Sequence, residues 1–482
     1  MQEEGLASEF TISADLSDAF ARASGDYNPL HLDPVYARRT QFGGSVVHGI
    51  HLLLAALDRV AGAGVLTGLE PQECSVTFNN PVLTGVTVQL ETNFERATQR
   101  LRVRGTTRQG SPAFSATFVF GPRQTIARDV IVDRFSYEHA APQRAVFPVP
   151  GMEAAIPVRA GRAEIRALFP ALAALDAAWV ADLLASTRVV GMHCPGMNSI
   201  YSGCKLRARA DAAVDAQLRY KVLKADERFK LIRLGIDGAH FQGTLETFFR
   251  PSAVDQPSLV DVAREIPSGS FVGQRALVVG GSRGLGELAA KIVLAGGGEA
   301  TITYARGKQD ALRVCSEAAS LGRSCRAEQL DMDALLGGHV PEWLASGSYT
   351  HVYYFASPHI VRNADSHWDA NLFRAFARFY VDAFALLVQA MQNKAPGSAP
   401  LRVLYPSTVF VEQPESGFAE YAAAKAAGEA LCDQLGARGG VRFAKPRIPR
   451  MRTDQTSGLS NDAVEDPLPR MKDLLLAFHA QS

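Results

Sequence analysis

The stretch Phe20-Ala-Arg-Ala-Ser24-Gly25-Asp26-Tyr27-Asn28-Pro29-Leu30-His31 decides how the first part of this chain is read. A carboxylate and an imidazole stand five residues apart, with a glycine before the aspartate and Asn-Pro between the pair. Pro29 fixes its own φ and drives Asn28 out of the helical region, so Asp26 and His31 sit on a stiff, irregular segment. Such a pair can grip one water and move its protons. Downstream, Gly44-Ser45-Val46-Val47-His48-Gly49 leads into Ile50, Leu53, Leu54, Leu57 and Val60 at helical spacing. That run is apolar on most sides, the mark of a buried helix. Its free N–H groups and positive dipole end would polarise a carbonyl oxygen placed there.

Beyond the helix the period changes to two. Val76/Phe78, Val86/Val88/Leu90, Leu101/Val103 and Phe114/Ala116/Phe118/Phe120 alternate with polar residues, which predicts antiparallel strands wrapped around the helix. The same order recurs from about residue 150. Leu172, Leu175, Trp179 and Leu183 mark a second apolar helix, and strand patterns follow at 199–206, 217–223, 232–236 and 245–249. Residues 251–270, rich in Pro and Ser, read as a connector. After it, apolar runs at 275–280, 300–304, 351–355 and 401–405 alternate with helices, the pattern of a parallel α/β sheet.

Composition fits this division. A chain of 482 residues predicts two or three domains, and 47% hydrophobic with 21% charged residues is a globular balance. A formal net charge of +1 removes the electrostatic case for nucleic acid or an anionic membrane as main partner. The six cysteines, at 74, 194, 204, 315, 325 and 432, have no CxxC spacing, so they read as reduced thiols without a metal site. The acidic N-terminus leads into no apolar signal core, and no run is long enough to span a bilayer. A cytoplasmic location is expected.

The run from Ser24 to His31, with Ala37, Phe42-Gly43-Gly44 and His48-Gly49, resembles the signature of the MaoC-like, R-specific enoyl-CoA hydratases across roughly residues 10–122. That resemblance implies a hotdog fold, with Asp26 and His31 acting through a water and the Gly49 N–H as oxyanion donor to a thioester carbonyl. Ala23 departs from the larger aliphatic residue usual there, with a packing consequence only. The half from 125 to 252 resembles another hotdog without the motif, and His193 in it is read as structural or lining. Two fused hotdogs would then share one active site.

The second constellation is Val278-Val279-Gly280-Gly281-Ser282-Arg283-Gly284-Leu285-Gly286, set between an apolar strand and a helix. Its glycine spacing lets backbone approach a pyrophosphate at the helix N-terminus. Tyr421 and Lys425, at i and i+4, share one helix face, and Ser407 precedes Tyr421 by fourteen residues. A nearby lysine is expected to lower the phenol's pKa and let it work near neutrality.

Glycine loop, serine and Tyr-x3-Lys in this order resemble the short-chain dehydrogenase/reductase family across about 272–482. By that resemblance Tyr421 moves the proton of the reacting oxygen, Lys425 holds the ribose and tunes the tyrosine, Ser407 binds the carbonyl and Asp331 contacts adenine. Gly280, Ser282, Gly284, Leu285 and Gly286 would cradle the phosphates. Departures from the pattern are Val279 for threonine, Phe355-Ala-Ser-Pro358 for Asn-Asn-Ala-Gly, Tyr380 near the relay asparagine, Pro446-Arg447 for Pro-Gly, and Thr408 as a rival to Ser407. The second strand ends Thr301-Ile-Thr-Tyr304-Ala305-Arg306 without a carboxylate. Arg283 and Arg306 then favour a 2′-phosphate, and NADP(H) over NAD.

The expected architecture is an α+β double hotdog followed by an α/β Rossmann-type doubly wound parallel sheet. Its segments are 1–124, 125–252, a linker at 253–270, and 271–482. The expected activity joins (R)-3-hydroxyacyl dehydratase/trans-2-enoyl hydratase chemistry to an NADPH-dependent 3-oxoacyl reductase, on coenzyme A or carrier-protein thioesters. Two rivals stand beside it: an oxidative hydratase/3-hydroxyacyl dehydrogenase, and a hydratase joined to a degenerate nucleotide-binding scaffold. A homodimer through the reductase domain is possible on the same resemblance.

Overall fold

The computed structural model describes every residue except 1–2, 109, 123–129, 144–145, 176, 212–214, 253, 364–366, 393–398, 455, 457–463 and 481–482, and the side chains of 3 and 4. The chain divides into two compact units, Met1–Ser252 and Ala253–Ser482.

In the first unit, ten strands form one antiparallel sheet. They are β1 (Glu3–Thr11), β2 (Leu69–Phe78), β3 (Thr87–Glu95), β4 (Arg100–Thr107), β5 (Pro112–Pro122), β6 (Glu153–Pro157), β7 (Ser199–Ala208), β8 (Gln217–Asp226), β9 (Leu231–Asp237) and β10 (Phe241–Phe249). Their order is β1-β3-β4-β5-β2-β7-β10-β9-β8-β6, so the second five repeat the topology of the first in mirror sequence about the β2–β7 pair. Each half contributes a central helix, α2 (Gly49–Gly62) and α3 (Val180–Arg188), and α1 (Ala14–Ser24) precedes the Asp26 segment. Alternation on the strands buries Val88, Leu90, Leu101, Val103, Phe114, Phe118, Leu234 and Leu245 against these helices in one apolar core. Burial of such side chains supplies about 1.5–3 kcal/mol each.

The second central helix begins later than the pattern of Leu172, Leu175 and Trp179 suggests. Leu172 belongs to a short separate helix, Pro170–Ala174, and Trp179 is the N-cap of α3. After Arg188 the chain continues as a π-helical turn, Val189–His193.

In the second unit, six parallel strands run in the order β13-β12-β11-β14-β15-β16, where β11 is Arg275–Val279, β12 Glu299–Tyr304, β13 Cys325–Gln329, β14 His351–Tyr354, β15 Leu401–Leu404 and β16 Val441–Ala444. Two apolar cores lie against this sheet. The helices used below are α4 (Gly284–Ala295), α5 (Lys308–Ser320) and α6 (Ala419–Ala437).

The stretch read as a linker at 253–270 is part of this unit. Ser258 caps a helix, Leu259–Glu265, whose Leu259 and Val262 are buried in the core with Ile266. Lys291, itself buried, donates to the Pro257 carbonyl. Pro and Ser here start a helix rather than extend a tether.

Candidate functional sites

Asp26 follows α1 directly. Gly25, at φ 76°, closes that helix, and the Ser24 hydroxyl accepts from the Asp26 N–H. The Asn28 side chain accepts from the Leu30 N–H and donates to the carbonyls of Gly191, Gly196 and Met197. The stiff loop is therefore tied to the second half of the unit by one amide. Asp26 is 1% exposed. Its Oδ2 accepts from Thr187 Oγ1 at 2.7 Å, and its Oδ1 from the Asn28 N–H at 3.2 Å. Burial outweighs these bonds and pushes the carboxyl pKa up to about 7.

His31 is half-buried, with Nδ1 2.6 Å from the Val46 carbonyl. That contact fixes Nδ1–H as donor and leaves Nε2 with a lone pair. Burial lowers the His31 pKa to about 4, so the ring is neutral at pH 7. The His48 ring stacks on it at 3.7 Å between centroids, and His48 Nε2 lies 3.1 Å from the Asp26 carbonyl. Donor atoms of Asp26, His31 and His48 lie within 4.8 Å of one another, close enough for one water to span carboxylate and imidazole. His48 is also the N-cap of α2 and makes no side-chain capping bond there. The first N–H groups of α2, Gly49 among them, therefore receive no capping bond from the His48 side chain.

Several partners of this site lie far away in sequence. Thr187 lies in the last turn of α3, and Arg188, its last residue, donates to the Pro157 carbonyl and stacks over Tyr137. The π turn brings Gly191 against Asp26, where an added Cβ would sit 2.1 Å from Oδ1. Thr187, Arg188 and Gly191 carry no local motif, because their role depends on long-range packing. His48 is visible in the His-Gly run but offers no sign of its stacking on His31. His193, half-buried with its pKa lowered by burial, is absent from that donor cluster.

In the second unit, the glycine loop links β11 to α4. Gly280 adopts φ 78°, and a Cβ on Gly286 would lie 2.2 Å from the Gly280 carbonyl oxygen. Only glycine lets loop and helix approach this closely. The N-cap of α4, Arg283, makes no side-chain capping bond, so the helix start with Ser282, Gly284 and Leu285 fits a phosphate. Arg283 itself is engaged elsewhere, its Nη1 2.8 Å from Asp454 Oδ2. Its guanidinium charge is met there by that carboxylate. Arg306 is exposed two residues past β12 and forms no ion pair among the described residues. Asp331 is exposed and accepts from the Asp333 N–H at a helix start.

Tyr421 and Lys425 lie on α6. The Ser407 hydroxyl donates to Glu429, which Arg447 also holds. The partner of the Tyr421 phenol is the Thr408 hydroxyl. Adjacent strand residues face opposite sides, so one position of offset exchanges the two hydroxyls. Burial raises the Tyr421 pKa to about 12, against the expectation that Lys425 lowers it. Lys425 Nζ donates to the Pro406 carbonyl at 2.8 Å and lies 3.9 Å from the Tyr380 ring centroid, but 6.0 Å from that of Tyr421. Burial drops the Lys425 pKa to about 7. Tyr380 in turn pairs its hydroxyl with Ser357 at 2.6 Å.

Among the described residues, no helix is long and apolar enough to cross a membrane.

Residues 2–111 match the family model described as MaoC like domain, and the chain carries such a domain. An (R)-specific enoyl-CoA hydratase of Aeromonas caviae is 41% identical over 81 residues, 15% of this chain and 56% of that protein. The chain thus spans little more than half the length of that relative. Among solved structures, a short chain dehydrogenase from Burkholderia cenocepacia in complex with NADP is 23% identical, with TM-score 0.38, over 43% of this chain and 91% of its own. A Pseudomonas aeruginosa RhlG/NADP active-site complex is 20% identical, with TM-score 0.39, over 44% and 91%. A MaoC-like dehydratase is 14% identical, with TM-score 0.38, over 51% and 97%.

Proposed function

We propose that this chain, with its MaoC-like domain over residues 2–111, is a bifunctional acyl-thioester enzyme. Its first unit is a double hotdog that interconverts (R)-3-hydroxyacyl and trans-2-enoyl thioesters. Its second unit is a reductase of 3-oxoacyl thioesters that uses NADP(H).

The observation that carries the first half is the Asp26/His31 pair at the uncapped start of α2. A water between the Asp26 carboxylate and His31 Nε2 gives up a proton to this pair as its oxygen bonds to C3. Electron density moves through C2 to the thioester oxygen, which the Gly49 N–H stabilises. The pair then returns a proton to C2, and dehydration is the reverse. A carboxyl with pKa near 7 suits both directions, because it accepts and releases a proton at neutrality. The repeated strand order with one Asp/His pair supports two fused hotdogs that share a single site.

For the second half, the glycine loop and α4 N-terminus would hold the dinucleotide's phosphates, and Arg306 a 2′-phosphate. The bound cofactor supplies the hydride. Tyr421, with a pKa near 12, keeps its proton at pH 7 and can give it to a forming alkoxide. Thr408 positions that phenol. A second reading, a nucleotide-binding unit without hydride transfer, is favoured by one observation: Lys425 is buried under Tyr380 and bonded to Pro406.

The test is product analysis by mass spectrometry with 3-oxoacyl and enoyl thioesters, with and without NADPH. Hydration of enoyl thioester and NADPH oxidation with 3-oxoacyl thioester are expected. NADPH binding without oxidation on any thioester would select the second reading, and absence of hydration would remove the first half.

A further inference from the structure

Cys315 and Cys325 lie ten residues apart in the chain, on α5 and at the start of β13, with their sulfurs 3.3 Å apart. Both are partly accessible to solvent. Cys74 and Cys204 also interact, yet both are buried in the apolar core of the first unit, and Cys194 and Cys432 are buried as well. Solvent access therefore separates one adjacent thiol pair from the other four thiols. The 3.3 Å contact lets either thiol donate to the other's sulfur, so one can ionise while its neighbour keeps a proton. One thiol is thus biased towards thiolate, the nucleophilic form, with a second in place to resolve it.

We propose that Cys315 and Cys325 are a modification site, forming a reversible disulfide under two-electron oxidants of the peroxide class and stapling α5 to β13. The thiolate of one cysteine attacks one peroxide oxygen, the O–O bond breaks, and with a proton from solvent a sulfenic acid and water result. The other thiol's sulfur then attacks the sulfenic sulfur, forming the S–S bond, and its proton leaves with the hydroxyl as a second water. Two thiols are oxidised and one peroxide is reduced. The staple sits at the start of β13, opposite Ala300 of β12, and so at the other end of these parallel strands from the loops that carry Arg306 and Asp331.

The experiment treats the full chain with hydrogen peroxide, then reads free thiols, intact mass and disulfide-linked peptides, before and after dithiothreitol. Six titratable thiols should fall to four under denaturing readout, with the loss of two hydrogens and a Cys315–Cys325 peptide. Cys315→Ser and Cys325→Ser should each abolish that peptide. Retention of all six thiols, or a disulfide that maps to Cys74–Cys204, overturns the proposal.

Discussion

Asp26 illustrates how a residue is held against its own hydration. Its pKa rises from 3.8 to about 7 on burial, so between those values the unfolded chain releases a proton that the native state keeps. Stability therefore falls as pH rises from near 4 to near 7 and stays reduced above that, by about 4 kcal/mol. Asp26→Asn removes this penalty. It should melt higher than wild type at pH 8, with the difference shrinking towards pH 4, and should lose about 10²–10⁴ of hydratase rate. Parallel stability curves for the two proteins would contradict the burial argument. Thr187 opposes the shift, since its hydroxyl favours the carboxylate. In Thr187→Val the acid limb of the hydration rate, which needs Asp26 ionised, should move to higher pH; an unmoved limb would detach Thr187 from the chemistry. In the second unit, the pairing of Tyr421 with Thr408 predicts that Thr408→Val lowers reductase kcat by roughly 10²-fold, while Ser407→Ala acts on the Glu429–Arg447 pair and changes kcat far less. Equal losses in both variants would return Ser407 to the reacting oxygen.

Elements were legible in sequence where a pattern was local. The Asp26–His31 segment, α2 and the alternating strands each carry their cause within a few residues. The start of α3 was not legible, because periodicity scores polar residues as a solvent face. Asp182, Ser186, Thr187 and Arg188 are all buried, and Asp182 accepts the N–H groups of Ala239, His240 and Phe241. Those partners lie at the turn into β10, more than fifty residues away. The π turn and Gly191 were hidden for the same reason: their constraint is a carboxylate in the other half of the unit. Misreading 253–270 has a different origin, since Pro257 and Ser258 punctuate a loop and also cap a helix. The buried Leu259, Val262 and Ile266 make that helix part of the second unit's core. A fragment beginning at residue 271 should thus be less stable than one beginning at 254 by about 4.5–9 kcal/mol, from three apolar side chains. Urea melts of the two fragments measure this, and equal midpoints would restore the linker.

At the scale of the whole molecule, the question is whether two chemistries meet on one substrate. A reductase of the kind proposed makes a 3-hydroxy group, and the hydratase proposed for Asp26/His31 would remove or add one. The repeated half of the first unit contributes Thr187 and Gly191 to this site, while the Asp/His motif itself occurs once. One dehydration site and one reduction site per chain would follow. Covalent linkage raises the effective concentration of one site's product near the other without requiring a channel. Two substitutions separate the steps. Tyr421→Phe keeps the ring and removes the phenolic proton; Asp26→Asn keeps the shape and removes the carboxylate. With 3-oxoacyl thioester and NADPH, the wild type should yield the enoyl product. Asp26→Asn should stop at the (R)-3-hydroxy thioester, and Tyr421→Phe should leave the 3-oxo compound unchanged while still hydrating enoyl thioester. Accumulation of the (S)-alcohol in Asp26→Asn would mean that the reductase feeds a different enzyme, because a site specific for the R configuration cannot dehydrate it. The stereochemistry of that one intermediate decides whether the two sites act in series.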